Sequence, residues 1–322
     1  MKIEDCYQKE FTFVDVRSPL EFEEDHIPGA INIPLLSNEE RAIVGTIYKK
    51  ESQQKAVDKG LEFISKSLPD MVKKYRELKQ PILIYCFRGG MRSNSIASLL
   101  KSMNFKIEIL ERGYKDYRRF VREKLENYKI KSKFYILYGL TGSGKTEILE
   151  KLDNALDLEG CAQHRGSVFG DINLKPKSQK MFESLLLNRL EELQSKPLIL
   201  TEGESRKIGK VQIPLALWKQ MQEATKIKVI SPIEERVDRI DKEYNLKLNQ
   251  KLIEEKLDII EKYLGKQKTF DIKLLLKEDK VKEVIKTLLL DYYDKLYAHT
   301  INSKTYEFEI KNKEDLLKQL PK

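Results

Sequence analysis

The sequence predicts two consecutive α/β domains with parallel sheets, the second carrying extra helices at its C-terminal end. Short apolar runs alternate with amphipathic helical stretches along most of the 322 residues, and this alternation is typical of parallel sheets covered by helices. The apolar strand pattern disappears over a strongly basic segment at 114–133 and then begins again. We therefore place a boundary near residue 128, which gives domains at 1–128 and 129–322.

The first domain contains three predicted strands and two helical stretches. Residues 11–14, 81–85 and 106–110 are short apolar runs that predict strands, and the second of them is apolar enough to be fully buried. Residues 38–78 and 93–103 have the amphipathic pattern of helices. The order of these elements predicts a parallel sheet.

The second domain begins with a predicted strand at 134–138, and further strands are expected at 197–200 and 227–230. From residue 232 to about residue 296, Lys, Glu, Leu and Ile recur at helical spacing. Because no heptad repeat persists through this region, the pattern predicts several separate amphipathic helices and not a coiled coil.

Charge, cysteine count and the lengths of apolar runs limit the classes of protein to which this chain can belong. The 60 Lys and Arg against 51 Asp and Glu give a formal charge of +9, which suits a polyanionic partner such as RNA without requiring one. Cys6, Cys86 and Cys161 are too few and too scattered for a disulfide framework or a zinc cluster. No apolar run reaches the ~18 residues that span a bilayer, and the N-terminal residues do not resemble a signal peptide. We expect a soluble, cytoplasmic protein with no membrane association.

A phosphate-binding motif follows the first strand of the second domain. GLTGSGKT at 139–146 matches G-x-x-x-x-G-K-[ST] at every fixed position and precedes a helical run. Backbone N–H groups of such a loop surround a phosphate, and the motif does not require the diphosphate to belong to a nucleotide. The predicted ligand-binding residues are Gly139, Gly142, Ser143, Gly144, Lys145 and Thr146.

A magnesium ion could accompany that phosphate. The Thr146 hydroxyl is in the position that ligates Mg²⁺ in such loops. Glu202 or Glu204, at the end of the next predicted strand, could supply the second ligand, and we take Thr146 and Glu202 as the candidate metal ligands.

A cysteine loop is the second candidate site. YCFRGGMRS at 85–93 follows a buried strand and precedes a helix, so backbone amides and the helix N-terminus can stabilise a thiolate of Cys86. Arg88 and Arg92 add positive charge to the loop. The C-x5-R spacing is shared with cysteine phosphatases and predicts a loop that accepts a tetrahedral oxyanion. The candidate catalytic residues are Cys86, Arg88 and Arg92.

Further motifs carry a family resemblance. VDVRSP at 14–19 and HIPGA at 26–30 resemble the signatures of rhodanese-like domains. Other segments resemble bacterial tRNA 2-selenouridine synthases, in which a rhodanese-like domain precedes a P-loop domain. These segments are CFRGGMRS at 86–93, with Phe87 in place of the family's Trp, GYKDYR at 113–118, DLEGCAQHRGS at 157–167 and EGESRKIG at 202–209. The resemblance covers residues 11–245, with a weaker match at 292–294.

The resemblance implies a rhodanese-like parallel-sheet domain followed by a P-loop NTPase-like α/β domain. It implies that the sulfur of wobble 2-thiouridine in tRNA is replaced by selenium from selenophosphate, through an S-geranylated intermediate made from geranyl diphosphate. Cys86 would handle selenium, the P-loop would bind the diphosphate, and Asp15 and Arg17 would be structural. The implied partners are tRNA and an enzyme that supplies selenophosphate, with Mg²⁺ as a further ligand; the oligomeric state is not predicted.

A basic helical face near the boundary is a candidate RNA-binding surface. Its members fall at i, i+3, i+4 and i+7 and so share one side of a predicted helix: Lys115, Arg118, Arg119 and Arg122. Contact with tRNA phosphates and a merely solvated surface are both compatible with this pattern. Tyr114 and Tyr117 beside it could stack on unpaired bases.

Two arginines beyond the third strand of the second domain have alternative roles. Arg236 and Arg239 could clamp a phosphate, or they could pair with Glu234 or Glu235.

The functional alternatives are a phosphatase–kinase-like fusion acting on small phosphorylated substrates and a nucleotide-gated RNA-binding module. The sequence places no residue as the general acid that a phosphatase would need. The intact Cys–Arg loop counts against a module that only binds RNA.

Overall fold

The computed structural model describes residues 1–7 and 9–320 and forms two compact units. One comprises Met1–Glu126 with Glu183–Leu187, and the other comprises Asn127–Phe182 with Asn188–Lys322. Each unit has its own parallel sheet, so the predicted α/β class is confirmed. The domain division at residue 128 stays a prediction.

The first unit is built on a four-stranded sheet with the order β2-β1-β3-β4. The strand bounds are β1 Thr12–Asp15, β2 Ile31–Asn32, β3 Ile82–Tyr85 and β4 Ile107–Ile109. All four residues of β3 are buried, as its apolar run predicts. The three predicted strands are confirmed to within one residue at each end, whereas β2 has only two residues and therefore no periodicity to detect.

The helices of the first unit include a long segment that divides in two. The predicted helical stretch 38–78 is interrupted because Ser52 caps a new helix, its hydroxyl accepting a hydrogen bond from the Lys55 N–H at 3.2 Å. The bounds are α1 Ile3–Cys6, α2 Pro19–Glu24, α3 Asn38–Lys50, α4 Gln53–Arg76, α5 Met91–Ser102 and α6 Gly113–Glu126.

The buried Arg17 side chain links β1 to the loop that follows α2. Its guanidinium pairs with Asp15 at 2.6 Å and donates to the Asp25 carbonyl at 2.7 Å. It also lies 3.8 Å from the ring centroid of Tyr114, in α6. Because a buried charge is tolerated only when it is paired and hydrogen-bonded, Arg17 and Asp15 have the structural role that the resemblance implies.

The second unit is built on a five-stranded parallel sheet with the order β11-β10-β5-β7-β6 and has a separate antiparallel hairpin, β8-β9. The three predicted strands are confirmed as β5, β7 and β10; the others have two or three residues each. The bounds are β5 Lys133–Tyr138, β6 Ala155–Leu156, β7 Leu198–Glu202, β8 Lys207–Ile208, β9 Val211–Gln212, β10 Thr225–Val229 and β11 Phe308–Ile310.

Helices dominate the C-terminal half of the second unit, as predicted, and bury an apolar cluster that includes Leu257, Ile285 and Leu289. No helix in the described part of the chain is both long and apolar enough to cross a membrane. The helices that follow α6, of which α9 includes the first unit's Glu183–Leu187, have the bounds α7 Lys145–Glu150, α8 Leu158–Ala162, α9 Gln179–Glu192, a 3₁₀ turn Leu193–Ser195, α10 Leu215–Glu223, α11 Ile233–Tyr244, α12 Gln250–Leu264, α13 Lys266–Lys277, α14 Val281–Leu288, a π turn Leu289–Tyr293, α15 Asp294–Asn302 and α16 Lys313–Gln319.

Candidate functional site

The cysteine loop follows β3, and the start of α6 supports it through two backbone hydrogen bonds. The Cys86 carbonyl accepts a hydrogen bond from the Tyr114 N–H, and the Phe87 carbonyl accepts one from the Lys115 N–H, both at 2.9 Å. Gly113 permits this approach, because its φ is +57° and a Cβ there would lie 2.2 Å from the Cys86 carbonyl oxygen. The GYK motif at 113–115 therefore shapes the loop that carries the thiol.

The Cys86 thiol is buried and is stabilised as a thiolate. Burial alone would raise the pKa of this thiol. Hydrogen bonds from the Ser93 hydroxyl and from the N–H groups of Arg88 and Ser93, with the charge of Arg92, hold the pKa below its usual value. The Ser93 Oγ lies 3.3 Å from Sγ. Sequence analysis did not assign Ser93 this role, because the motif does not reveal where its hydroxyl points.

The two loop arginines differ in their surroundings. Arg92 donates to the Glu21 carboxylate at 3.0 Å, and Glu21 also accepts from the Ser18 N–H at the start of α2. Glu21 therefore fixes Arg92 beside the loop, a contact across 71 positions that sequence analysis missed. The Arg88 side chain is exposed, with its guanidinium 5.8 Å from the Phe87 ring centroid, so Arg88 contributes its backbone N–H to the thiol.

This difference between the arginines predicts a contrast in thiol ionisation. In Arg92→Ala, the pH midpoint of Cys86 alkylation is expected to move upward, because a charge that favours the thiolate is lost. Arg88→Ala should leave the midpoint almost unchanged, since its backbone N–H remains. Burial raises the pKa of Cys6 to about 11 and that of Cys161 to about 12, so alkylation below pH 9, followed by peptide mass spectrometry, reports Cys86. Equal shifts in both variants would contradict this assignment.

The phosphate-binding loop has the backbone that its motif predicts. Gly142 and Gly144 have φ values of +75° and +95°, which side chains rarely adopt. Lys145 donates through Nζ to the Gly139 carbonyl at 3.0 Å. The Ser143 hydroxyl is buried, and no partner for it is found among the described residues. The phosphate-binding loop therefore places the ammonium group of Lys145 and several polar groups around one small space.

Arg236 positions this loop. Its Nε donates to the Thr141 carbonyl at 2.9 Å, and its two terminal nitrogens donate to Asp294 at 3.0 and 2.6 Å. Because Arg236 is only 4% exposed and each of its three side-chain nitrogens already donates to Thr141 or Asp294, the prediction that Arg236 clamps a phosphate is not supported. Arg239 pairs with Glu235 at 3.1 Å, one of the alternatives expected for it.

Removing Asp294 is expected to destabilise the protein and the loop together. Asp294→Ala leaves the buried Arg236 without a counter-charge, which costs about 3 kcal/mol, and it should also weaken binding of inorganic pyrophosphate. Asp291→Ala is the matched control, because Asp291 makes ion pairs with exposed Lys268 and Lys295 worth about 1 kcal/mol or less. Urea unfolding and calorimetric titration measure both effects. Equal, small losses in the two variants would contradict the role of Asp294.

A cavity of about 710 Å³ lies over the phosphate-binding loop, entirely within the second unit. Its polar lining includes Lys145, Glu159, Arg165 and Glu204, and part of its lining is aromatic. Segment 157–167 contributes Glu159, Arg165, Gly166 and Ser167 to this lining. Within this segment the Asp157 side chain caps α8 by accepting from the Gly160 N–H at 2.7 Å.

Glu159 contacts both predicted metal ligands, Thr146 and Glu202, whose role stays a prediction. The carboxyl group that approaches the Thr146 hydroxyl, at 3.5 Å, belongs to Glu159. Glu202 is buried and accepts a hydrogen bond from the Glu159 N–H at 2.8 Å. Burial and the charge of Asp157 raise the pKa of Glu202. Among the described residues, no group of three or more His, Cys, Asp or Glu side chains is arranged to hold a metal.

The basic face of α6 is only partly accessible. Lys115 and Arg122 are exposed, whereas the Arg118 side chain is 11% exposed and pairs within the first unit with Asp25, at 3.5 Å, and with Glu183. Arg119 is 40% exposed and forms ion pairs. The expectation that Arg118 reaches RNA is therefore wrong for this conformation, because a carboxylate buried in the same unit engages it.

The two tyrosines beside this face are not available for base stacking. Tyr117 is fully buried and Tyr114 nearly so, and the Tyr114 hydroxyl donates to Asp25 at 2.9 Å. The predicted stacking role is therefore wrong. Lys115 and Arg122 remain as the accessible cations of the predicted set, with Arg119 partly accessible.

Two family models and several known proteins are similar to this chain. A model of the tRNA 2-selenouridine synthase AAA domain matches residues 132–321, and a rhodanese-like domain model matches residues 3–120. A tRNA 2-selenouridine synthase of Shewanella piezotolerans is 37% identical over 75% of this chain and 68% of its own length. A tRNA 2-selenouridine synthase of Psychromonas ingrahamii is 32% identical over 90% of this chain and 88% of its own length. The solved N-terminal domain of a Clostridium difficile 630 protein is 47% identical, with a TM-score of 0.37, over 38% of this chain and 97% of that domain.

Proposed function

Because the chain belongs to the tRNA 2-selenouridine synthase family, we propose that it replaces the sulfur of wobble 2-thiouridine in tRNA with selenium. The observation that carries the proposal is the placement of Cys86 at the start of a C-x5-R loop, with its Sγ 3.3 Å from the Ser93 hydroxyl and with Arg92 fixed beside the loop by Glu21. The pKa of the thiol is lowered in these surroundings. A second centre, the P-loop cavity, supports a reaction with two half-steps. A tRNA substrate places the enzyme in the cytoplasm, where it requires a partner enzyme that supplies selenophosphate.

In the first half-step, geranyl diphosphate binds with its diphosphate in the P-loop. The thiouridine sulfur attacks the allylic carbon, so a C–S bond forms, the C–O bond breaks, and the N3 proton of the base is released. Lys145 and the backbone N–H groups of the loop neutralise the departing diphosphate. The products are S-geranylated tRNA and inorganic pyrophosphate.

In the second half-step, selenophosphate binds in the cysteine loop. The width of a C-x5-R loop suits its tetrahedral phosphorus, and Arg92 supplies positive charge beside Cys86. Thiolate attack at phosphorus forms an S–P bond, breaks the P–Se bond and releases hydroselenide, and water later removes the phosphoryl group from Cys86. Hydroselenide then replaces geranylthiol at C2 of the base. Selenium keeps its oxidation state throughout, so no external reductant is required.

Reconstitution with purified components tests this function. The chain is incubated with 2-thiouridine-containing tRNA and geranyl diphosphate, with or without selenophosphate, and the digested nucleosides are identified by mass spectrometry. We expect S-geranylated nucleoside without selenophosphate and 2-selenouridine with it. Unchanged 2-thiouridine in both reactions would contradict the proposal.

Lys115 and Arg122 are proposed to contact tRNA phosphates, since both are exposed on α6. Changing both to Ala is expected to weaken tRNA binding and to flatten its log–log salt dependence by about 0.7–0.9 per lost contact. Changing exposed Lys49 and Lys50 to Ala is the control, because these residues end α3 in the same unit. Binding isotherms at several salt concentrations measure both quantities. Identical slopes in the two double variants would mean that this face of α6 is only solvated.

A further inference from the structure

A second arginine lies beside the arginine of the cysteine loop. Arg41 is near the start of α3, and its Nε lies 3.6 Å from Oε2 of Glu21. The same oxygen accepts the hydrogen bond from Arg92 at 3.0 Å. Because both guanidinium groups approach one carboxylate oxygen, they are close neighbours within the first unit. We call Arg41, Glu21 and Arg92 the arginine cluster.

Two helix starts hold the arginine cluster in place. Glu21 lies in the first turn of α2, where its carboxylate also accepts a hydrogen bond from the Ser18 N–H at 3.2 Å. The first residue of α3 is tied to α2, because the Asn38 side-chain carbonyl accepts from the Leu20 N–H at 3.0 Å. The two helices therefore bring Arg41 and Glu21 together without help from a ligand.

Glu21 keeps the two arginines together as an anion. Burial alone would raise the pKa of Glu21, but Arg92, the Ser18 N–H and Arg41 hold the pKa below its ordinary value. Each guanidinium is a permanent cation, and the carboxylate offsets the repulsion between the two. With two cations and one anion, the arginine cluster keeps a net positive charge.

Both arginines have hydrogen-bond donors that the protein does not use. The Arg41 and Arg92 side chains are 51% and 27% exposed. In the part of the chain that the structure describes, the Arg92 guanidinium donates only to Glu21, and no hydrogen bond from the Arg41 guanidinium is found. Arg17, by contrast, is 2% exposed and is paired with Asp15. The arginine cluster therefore presents unused N–H groups in the fork geometry that binds phosphate oxygens.

The charge of the arginine cluster favours a terminal phosphoryl group as its ligand. Such a group carries about −1.5 to −2 charge at neutral pH, whereas each phosphodiester of a nucleic acid carries about one negative charge. Arg92 is also at the start of α5, whose first turn has no side-chain cap, so the free N–H groups of this turn add to the field of the two guanidinium groups.

We propose that Arg41 and Arg92, held together by Glu21, bind the oxygens of the phosphoryl group that is transferred to Cys86. The inference rests on the proposed function, in which the Sγ–P bond forms as the P–Se bond breaks. It deepens that function by adding Arg41 as a phosphoryl-binding residue and Glu21 as a positioning residue. The three oxygens stay on phosphorus throughout this step, so the same N–H groups hold them before and after transfer and neutralise the charge that thiolate attack adds.

Protection of Cys86 from iodoacetamide by inorganic phosphate tests this inference in the full chain. Alkylation below pH 9, where the other thiols stay protonated, is followed by peptide mass spectrometry. The protection constant compares rates within one variant, so a change in thiol reactivity cancels. Arg41→Ala is expected to weaken protection roughly tenfold or more, because hydrogen bonds to a charged group are lost. Arg41→Lys should recover part of this loss, since it restores the charge without the fork.

Arg76→Ala is the matched control for Arg41→Ala. Arg76 is an exposed arginine of the same unit that ends α4, and α4 precedes β3, whereas the cysteine loop follows β3. Its replacement should leave the protection constant unchanged. Equal protection constants in Arg41→Ala and Arg76→Ala would overturn the inference.

Glu21→Gln separates positioning from simple electrostatics. Removal of a carboxylate charge beside an anion site would strengthen phosphate binding if charge alone decided the affinity. If Glu21 holds the two guanidinium groups together, the variant should instead weaken protection several-fold. Gln keeps an acceptor for the Ser18 N–H, so α2 remains capped. Tighter or unchanged protection in Glu21→Gln would overturn the positioning role.

Binding of tRNA and the response of the unmodified chain show which part of the account fails. Arg41→Ala should bind tRNA as the unmodified chain does at every salt concentration. Weaker tRNA binding with unchanged phosphate protection would overturn the inference, because Arg41 would then contact the RNA backbone. If phosphate does not protect Cys86 in the unmodified chain, the phosphoryl site of the proposed function fails, and the inference fails with it. If phosphate protects Cys86 equally well without Arg41, the inference fails and that site stands.

Discussion

Replacement of Cys86 by Ser is expected to reduce selenium insertion by several orders of magnitude, because removal of a catalytic nucleophile can cost roughly 10⁶-fold in rate. Serine is nearly isosteric with cysteine, but its hydroxyl does not ionise near neutral pH as the stabilised thiol does. The hydrogen bonds from Ser93 and the charge of Arg92 would then have no anion to stabilise. Selenation of S-geranylated tRNA, followed by nucleoside mass spectrometry, measures this loss.

Cys161→Ser is the matched control for this variant. Burial raises the pKa of the Cys161 thiol to about 12, so it carries no thiolate at neutral pH and its replacement should leave selenation unchanged. Binding of tRNA should be the same in both variants. Retained selenation by Cys86→Ser would remove Cys86 from the reaction.

Replacement of Lys145 by Ala is expected to slow geranylation by roughly 10²–10³-fold, as the loss of one preorganised charge at a developing anion does. Lys145 is the lysine of the phosphate-binding motif, and in this conformation its Nζ donates to the Gly139 carbonyl of the same loop. Diphosphate departure would therefore lose its main neutralising side chain. Selenation of tRNA that is already geranylated should be much less affected.

The control for Lys145→Ala is Lys151→Ala, because Lys151 directly follows α7, the helix that begins at Lys145, and makes an exposed ion pair with Glu147. Rates of pyrophosphate release and of nucleoside conversion report the two half-steps separately. Equal loss in both half-steps would mean that the loop serves the whole cycle or only the fold.

The sequence predicted those parts of the structure whose signal is local. The strands β3 and β5 are continuous apolar runs, and both candidate loops follow strands within a few residues, so motif and element could be recognised together. The short strands β2, β6 and β11 could not be predicted, because two or three residues carry no pattern and depend on neighbours in the sheet.

Contacts between distant positions were beyond the reach of sequence patterns. The pair formed by Arg236 and Asp294 joins two helices 58 positions apart, and its only sequence signal was the weak family match at 292–294. Helical spacing placed Arg118 on one side of α6. It could not reveal that Asp25, fully buried in the same unit, lies against that side and engages the guanidinium.

Nucleoside analysis of cellular tRNA tests the central claim most directly. Bulk tRNA is isolated from cells with and without the gene, grown with or without selenium, and digested for mass spectrometry. The account predicts 2-selenouridine only in cells that have both the gene and selenium, and S-geranylated 2-thiouridine in cells that have the gene but lack selenium. Selenouridine at equal levels without the gene, or its absence in cells with both, would contradict the assignment.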